Sequence, residues 1–289
     1  MIEWINETFG IKNEVSVPTM ISLIVFILGG TINYLFTKLK EYNRRRVHRK
    51  TFKQLLLETI KDLNVKEKSL AEFYPQVDIK HEGHWTFSHR NIGYLDTVYE
   101  FDFMELYYSF RRKYILHPYK KIKLKAFHRI WKLLKGLKFS ESQVLLQLDR
   151  ASKESHIQLG EFNDDLEKYR EFKERQHHEI QKSNQEKIDF PSQVFLDIEK
   201  DITEKWFDLG EIRTHRYYLY HNFVVPLLEH HREFSSLPIT LESAQILIQS
   251  ELKFKQLEST LRAYNKIFKN YWYYYRRDRR LLSTYLKYL

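Results

Sequence analysis

The sequence predicts an all-α protein in which one N-terminal transmembrane helix precedes a cytoplasmic helical bundle with long, coiled-coil-like helices. Only 8 Gly and 6 Pro interrupt 289 residues, and few stretches alternate with the period of two that strands need. A content of 43% hydrophobic residues is enough for a packed core. The absence of Cys excludes disulfides, thiolate zinc sites and cysteine nucleophiles. A domain without Cys is most simply interpreted as cytosolic.

The first element is an uncharged stretch, residues 15–37, which is long enough to cross a bilayer because about 20 helical residues span the hydrocarbon core. A removable signal peptide would place basic residues before its apolar core, whereas Glu3, Glu7 and Glu14 precede this one. A buried core helix would show a polar face, and this stretch shows none. We therefore expect a retained transmembrane helix over 15–37 and an extracytoplasmic N-terminus over 1–14.

A basic juxtamembrane segment, residues 38–53, follows the uncharged stretch. Its cations are Lys38, Lys40, Arg44, Arg45, Arg46, Arg49, Lys50 and Lys53. Such residues stay on the cytoplasmic side, so the sequence predicts a single-pass protein of the inner (plasma) membrane with its C-terminal domain in the cytoplasm. The same side chains favour binding to anionic headgroups, at about 1 kcal/mol per basic residue near the surface. The formal charge of +10 agrees with a polyanionic partner.

The remaining chain, residues 54–289, is predicted to be one cytoplasmic helical domain. A helix over 51–73 continues from the membrane and is ended by Pro75. Residues 76–90 are typical of a loop, and a second helix is expected over 91–116, where His117-Pro118 stops it. A basic helix over 120–138 comes next.

Two heptad patterns then predict two long packing seams. Their residues are Leu145, Leu148, Ser152, Ser155, Leu159, Phe162, Leu166 and Tyr169 in the first, and Leu247, Phe254, Leu257, Leu261, Tyr264, Phe268, Tyr271 and Tyr275 in the second. A break at 189–192 and a further helix separate them, and Thr240 is expected to be the N-cap of the last helix. The seams favour an antiparallel hairpin within one chain, with pairing between subunits of a homo-oligomer as the alternative.

Two Arg-x4-His pairs are the strongest candidates for chemistry: Arg112 with His117, and Arg216 with His221. Arg is always charged and forks onto phosphate, whereas His titrates near neutrality. The spacing resembles the motif of the HEPN superfamily, which includes metal-independent ribonucleases. The resemblance implies that Arg216 holds the scissile phosphate and that His221 transfers a proton during attack by the ribose hydroxyl.

A structural interpretation competes with catalysis at both pairs. His117 directly precedes Pro118 at a helix C-terminus, where the helix dipole favours a cation. Arg216 is expected to share a helix face with apolar neighbours, so its guanidinium needs a buried partner such as a carboxylate. Those neighbours are Leu209, Ile212, Leu219 and Phe223. With 48 Lys and Arg and 13 His in the chain, such pairs also arise by chance.

The segment from Thr214 to Val225, THRYYLYHNFVV, resembles the aromatic, Arg-containing helix of membrane proteins of phage abortive infection. The later helix with Leu261-Arg-Ala-Tyr264-Asn resembles it as well. This resemblance covers the last third of the chain and implies a role in anti-phage defence, with a defence-system protein as partner. Members of that family often carry two membrane helices, whereas this sequence predicts one.

Other clusters are interpreted as structural. His81, His84 and His89 form a loop cluster that matches no helical zinc motif, so we predict neither metal nor cofactor. The pair His230-His231 lies in a charged run and is expected on a solvated face. The aromatic and cationic stretch 271–280 resembles single-strand nucleic-acid surfaces, but its tyrosines continue the second seam and its cations suit headgroups or acidic neighbours.

Two classes of function remain. The first is a membrane-anchored helical effector or interaction protein of anti-phage defence, whose partner is a bilayer with anionic headgroups. The alternative is a membrane-tethered, metal-independent ribonuclease of HEPN type, for which RNA is the substrate. The sequence contains no Gly-rich phosphate loop, nucleophile elbow or kinase signature.

Overall fold

The computed structural model describes residue 7 and residues 13–81, 85–88, 92–182 and 189–289. Over these ranges every regular element is a helix, which confirms the all-α prediction. By packing, the chain divides into two compact units. The first contains residues 1–60, 93–132 and 282–289, and the second contains residues 61–92 and 133–281.

Helix α1 runs without interruption from Asn13 to Phe73, so the predicted membrane stretch and the predicted helix over 51–73 are one element. It ends where expected, because a 3-10 turn over Tyr74–Gln76 contains Pro75. From Met20 onward α1 carries a segment long and apolar enough to cross a membrane, and none of that apolar segment is buried. Its 61 residues extend over about 90 Å at about 1.5 Å per residue.

The first unit has an aromatic core. The rings of Phe52, Phe110 and Phe127 are buried, with centroids 5.2 to 6.0 Å apart. The expected helix over 91–116 is wrong in its extent, since the chain forms α2 (Tyr94–Tyr99) and α3 (Phe103–Lys113) instead. The side chain of Asp102 accepts a hydrogen bond from the Met104 amide at 2.8 Å and thereby starts a new helix.

In the second unit, the long helices pack as the predicted antiparallel hairpin. Helix α4 spans Lys120–Lys182, which joins the predicted basic helix and the first seam into one element, and the last helix, α8, spans Leu241–Leu286. Contacts run in opposite directions along the two helices. They join Glu141 to Tyr275, Glu154 to Tyr264 and Glu161 to Lys253, at 3.2, 2.8 and 2.6 Å. The intramolecular pairing is therefore confirmed.

The second seam is confirmed and the first is half right. Seven of the eight predicted positions on α8 are buried, and Tyr271 is partly exposed. On α4, Phe162 and Tyr169 are buried as expected, but Val144 and Ala151 take the places of Leu145 and Ser152. The true seam thus lies one residue earlier at alternate positions. Both choices fit the alternating spacing of three and four, and the facing helix selects Val144 and Ala151.

Short helices connect α4 to α8. Helix α5 (Phe190–Phe207) begins at the predicted break, with Pro191 in its first turn. A 3-10 turn (Gly210–Thr214) leads to α6 (Arg216–Leu219), a π-helical turn (Tyr220–Val224) and α7 (Val225–Glu233). Pro226 explains the π-helical turn, because its ring removes one amide and crowds the carbonyl four residues earlier.

Thr240 ends a 3-10 turn (Pro238–Thr240) directly before α8. It occupies the position predicted for the N-cap, but its hydroxyl donates backwards to the carbonyls of Phe234 and Leu237, at 3.2 and 2.8 Å. The side chain therefore closes the preceding turn and does not cap α8.

Candidate functional site

A cavity of about 1000 Å³ lies in the second unit beside the turn between α5 and α6. Its polar lining residues include His81, Asn163, Arg213, His215 and Arg216. Apolar side chains complete it, namely Leu159, Ile212 and Leu219. Of the predicted catalytic pair, Arg216 lines this cavity, whereas His221 is not among the lining residues.

Gly210 shapes this wall of the cavity. Its φ of +64° lies in the left-handed region, which glycine adopts without strain. The reversal lets α5 end and the 3-10 turn begin. The turn is then held by two hydrogen bonds, from Thr214 Oγ1 to the Glu211 carbonyl at 2.9 Å and from Trp206 Nε1 to the Arg213 carbonyl at 3.3 Å.

The Arg216 guanidinium binds main-chain carbonyls and not a carboxylate. Its Nη2 donates to His81 O at 2.9 Å and more weakly to Asp78 O at 3.4 Å, while Nε donates to Ile79 O at 3.2 Å. Burial lowers the pKa of Arg216, and the charge of Asp78 partly opposes this effect. The side chain thus clamps the segment 78–81, and most of its donors are already used.

The apolar neighbours predicted for Arg216 are arranged differently from the expectation. Leu209 and Ile212 precede α6 and lie outside its helix, and Ile212 is 51% exposed. The Arg216 side chain is hydrogen-bonded instead to segment 78–81, and the residues just before that segment are held from α8. There, Asn265 Nδ2 donates to the carbonyls of Tyr74 and Val77, at 2.7 and 3.3 Å.

His221 is exposed and lies in the π-helical turn. Its ring packs against Tyr217, with centroids 4.3 Å apart. At the other predicted pair, Arg112 is exposed within α3, and His117 lies beyond the end of that helix. The Nδ1 atom of His117 accepts from the Tyr119 amide at 3.1 Å, so this histidine closes a turn.

A buried polar network around Glu199 is the main feature that the sequence did not predict. Tyr169 Oη donates to Glu199 Oε1 at 2.5 Å, and Lys173 Nζ lies 2.5 Å from Oε2. The His231 ring packs edge-on to Tyr169. The expectation of a solvated face for His230-His231 is wrong, since the two residues are only 4% and 2% exposed. The apolar partner Phe195 on α5 covers both rings.

The hydrogen bonds of His231 fix its tautomer. Nδ1 lies 2.7 Å from the Leu227 carbonyl, an acceptor only, so Nδ1 carries a hydrogen. Burial lowers the pKa of His231, which favours the neutral ring with Nε2 as an acceptor, and the Ser243 hydroxyl shares its hydrogen between Nε2 at 2.9 Å and the Thr240 carbonyl at 3.1 Å. Serine, histidine and glutamate therefore meet here, but Ser243 is fully buried and no substrate reaches it. The network stabilises the fold.

The predicted headgroup-binding residues differ in their availability. Arg44 pairs with Glu105 at 2.9 Å, Arg45 pairs with Glu41 at 3.0 Å, and Arg49 donates to the Ser109 carbonyl at 2.9 Å. Lys38 lies over the ring of Tyr34, 5.2 Å from its centre. Lys40, Arg46 and Lys50 are exposed.

The cations near the end of α8 have acidic neighbours. Arg279 Nε donates to Glu67 Oε2 at 2.7 Å, and Arg276 lies 3.7 Å from the same carboxylate. Arg277 lies 2.7 Å from Asp278. These ion pairs support the structural interpretation of the aromatic and cationic stretch over that of a nucleic-acid surface.

Within the described ranges, no group of three His, Asp or Glu residues is placed to hold a metal ion. His84 and His89 of the predicted loop cluster lie outside the described residues. The main-chain oxygen of the third member, His81, accepts from Arg216.

No family model matches the chain, and neither a curated protein nor a solved structure is significantly similar to it. The resemblances to HEPN ribonucleases and to abortive-infection membrane proteins therefore stay predictions.

Proposed function

We propose that this chain is a single-pass membrane protein with its N-terminus outside and its helical units in the cytoplasm, and that it acts as a membrane-bound effector or interaction protein. The observation that carries this proposal is the exposed apolar segment of α1. Its large side chains between positions 21 and 39 are each at least 50% exposed, and Phe26 and Phe36 reach 79% and 68%.

The energetic cost of leaving this segment in water is large. Burying a large apolar side chain contributes about 1.5 to 3 kcal/mol, so roughly half of that is lost at each such position and the total is on the order of 10 kcal/mol. A typical domain is stable by only about 5 to 15 kcal/mol. The segment therefore needs lipid or protein to shield it from water. A bilayer fits its length, its uniform apolarity and the absence of charge from residues 15 to 37.

The basic flank supports the orientation. It begins directly after the uncharged stretch, and Lys40, Arg46 and Lys50 keep exposed side chains that are free to approach headgroups in the cytoplasmic leaflet. A plasma membrane rich in anionic lipid is the surface that these charges favour.

The ribonuclease alternative ranks lower because of the side chains it depends on. Phosphate binding by Arg216 requires guanidinium donors, and three of the five N–H groups already donate to main-chain carbonyls of segment 78–81. His221 packs on Tyr217 away from the cavity lining.

Membrane insertion is tested by placing charge in the apolar segment of the full chain. We expect the chain to remain in membranes after alkaline washing, and the double variant Ile24→Arg with Ile27→Arg to be lost from them, since each central Arg costs about 2.5 to 3.5 kcal/mol. The control is Ile122→Arg with Ile157→Arg, at positions that are 53% and 60% exposed outside this segment. This control should stay with the membrane.

Orientation is tested with a tag at Leu289 and an external protease in intact cells. We expect the tag to be protected. Digestion of the tag would reverse the proposed orientation. Release of the unchanged chain by alkaline washing would show that protein, such as a second copy, covers the segment instead of lipid.

A further inference from the structure

Two cationic side chains of the first unit lie over the buried ring of Tyr114, and two more are close enough to repel them. The Nζ atoms of Lys113 and Lys123 each lie 4.9 Å from the centre of this ring. Arg49 and Lys53 stand one turn apart on α1 and so share one face of that helix. After the larger effect of burial, repulsion from the other three cations lowers the pKa of Lys113. We call Arg49, Lys53, Lys113 and Lys123 the cationic cluster.

The protein itself supplies too little negative charge for this cluster. Main-chain oxygens take one N–H each from three of the cations: Ser109 from Arg49, Leu289 from Lys113 and Tyr288 from Lys123, at 2.9, 3.2 and 3.2 Å. The C-terminal ends of α3 and α8 lie here, and each contributes about half a negative charge. No carboxylate side chain in the described ranges pairs with any of the four cations. Even with a full negative charge on the main chain at Leu289, more than one positive charge stays uncompensated.

Holding like charges together costs free energy that a bound anion would recover. The donors suit phosphate in particular. The Arg49 guanidinium can donate to two phosphate oxygens at once, and the lysine ammonium groups act as point charges around them. The Tyr114 ring, only 2% exposed, packs behind the ammonium groups. We propose that the cationic cluster is a binding site for a ligand that carries two or more negative charges on phosphate oxygens.

The position of the cluster along α1 favours a water-soluble ligand over a bilayer lipid. Arg49 and Lys53 follow Thr37, the last residue of the uncharged stretch, by about 18 and 24 Å at about 1.5 Å per residue. The headgroup layer extends only about 5 to 8 Å beyond the hydrocarbon. This choice of source rests on the proposed membrane span, whereas the site itself does not.

The test uses the full chain in a neutral detergent, with inorganic pyrophosphate as the probe and calorimetry as the readout. We expect saturable binding. Lys53→Gln with Lys123→Gln should raise the Kd by at least about tenfold, because two charge-assisted contacts are lost. The matched control, Lys68→Gln with Lys125→Gln, removes the same net charge from exposed lysines of the same two helices and should leave the Kd within about twofold.

Three results would overturn the proposal: no binding of pyrophosphate by the unchanged chain, equal weakening in the cluster and control variants, or binding that the single variant Lys53→Gln leaves unaltered while the chain remains folded. Phospholipid in the same detergent micelles distinguishes the source of the phosphate. If phosphatidylglycerol added to the micelles does not displace pyrophosphate, the ligand is soluble. If phosphatidylglycerol displaces pyrophosphate and phosphatidylcholine does not, a lipid headgroup occupies the site and the soluble assignment is wrong. Because the assay is done in detergent, a failed membrane-insertion test leaves its result interpretable.

Discussion

Lys66 and Glu141 form a buried ion pair between α1 and α4 in the second unit. The Lys66 side chain is only 1% exposed, and that of Glu141 is 15% exposed. Burial lowers the pKa of Lys66, and the hydrogen bond and charge of Glu141 oppose that effect. Tyr275 Oη on α8 donates to the other carboxylate oxygen at 3.2 Å. One carboxylate thus joins the three longest helices.

The first prediction concerns this pair. Glu141→Gln keeps an acceptor for Tyr275 but removes the counter-charge of Lys66, so we expect a loss of about 3 kcal/mol in unfolding free energy. Adding Lys66→Met should recover most of the lost unfolding free energy, because this change removes the uncompensated charge. Denaturant unfolding followed by circular dichroism measures both. Glu171→Gln, at an exposed position of the same helix, is the control; an equal effect there would show that the buried pair contributes nothing particular.

The second prediction concerns the seam on α8. Leu257 and Leu261 are each 1% exposed, so replacing either with Ala should cost about 2 to 5 kcal/mol through lost contacts and a cavity. Leu252, on the same helix but 54% exposed, should tolerate Ala within about 0.5 kcal/mol. The measurement is again the unfolding free energy. Comparable losses at all three positions would contradict the assigned register.

The third prediction separates the two classes of function. Arg216→Lys should destabilise the fold by about 1 to 3 kcal/mol, because an ammonium cannot serve the separate carbonyls of segment 78–81 as the guanidinium does. His221→Ala should leave the melting temperature unchanged, since His221 is exposed. Arg262→Lys, whose side chain is 79% exposed, is the control for the chemical change.

The ribonuclease alternative predicts a different outcome for the same variants. A general acid or base contributes about 10²- to 10⁴-fold to a rate, so His221→Ala would then abolish RNA cleavage in a folded protein. Cleavage by the unchanged chain that is lost in a stable His221→Ala variant would refute the assignment as an effector or interaction protein.

The fourth prediction is a pH dependence of stability that arises from His231. Burial, the largest cause, lowers the pKa of His231 below its ordinary value of 6.5. Below that value the unfolded chain takes up a proton at His231 more readily than the folded chain does. The contribution of neutral His231 to the free energy of unfolding is therefore complete above pH 6.5, and it is lost as the pH falls toward the lower pKa of the folded state.

The measurement compares unfolding free energies at about pH 7 and about pH 5, where histidines titrate. His231→Gln should reduce the difference between the two, and His156→Gln, at an exposed position, should not. A pH dependence that is identical in all three proteins would show that His231 titrates alike in both states.

Local patterns in the sequence were sufficient for the all-α class, the apolar segment of α1, the end of that helix before Pro75, the break before Phe190 and the seam on α8. These features depend on contiguous apolarity, on periodicity or on the geometry of proline, all of which are readable along one segment. The true seam on α4 was ambiguous by one residue, because Leu145 and Val144 both fit a heptad and only the facing helix selects between them.

The tertiary structure decided which partners the polar side chains contact. The sequence placed Arg216 among potential ligands of phosphate, and only the fold brings the carbonyls of segment 78–81, more than a hundred positions away, onto its guanidinium. The pair His230-His231 belongs to a charged run, yet α5 covers it. The cationic cluster likewise combines side chains from three helices. A helical pattern shows which face is apolar, but the partner of a charge depends on contacts between distant segments, and these exist only once the chain has folded.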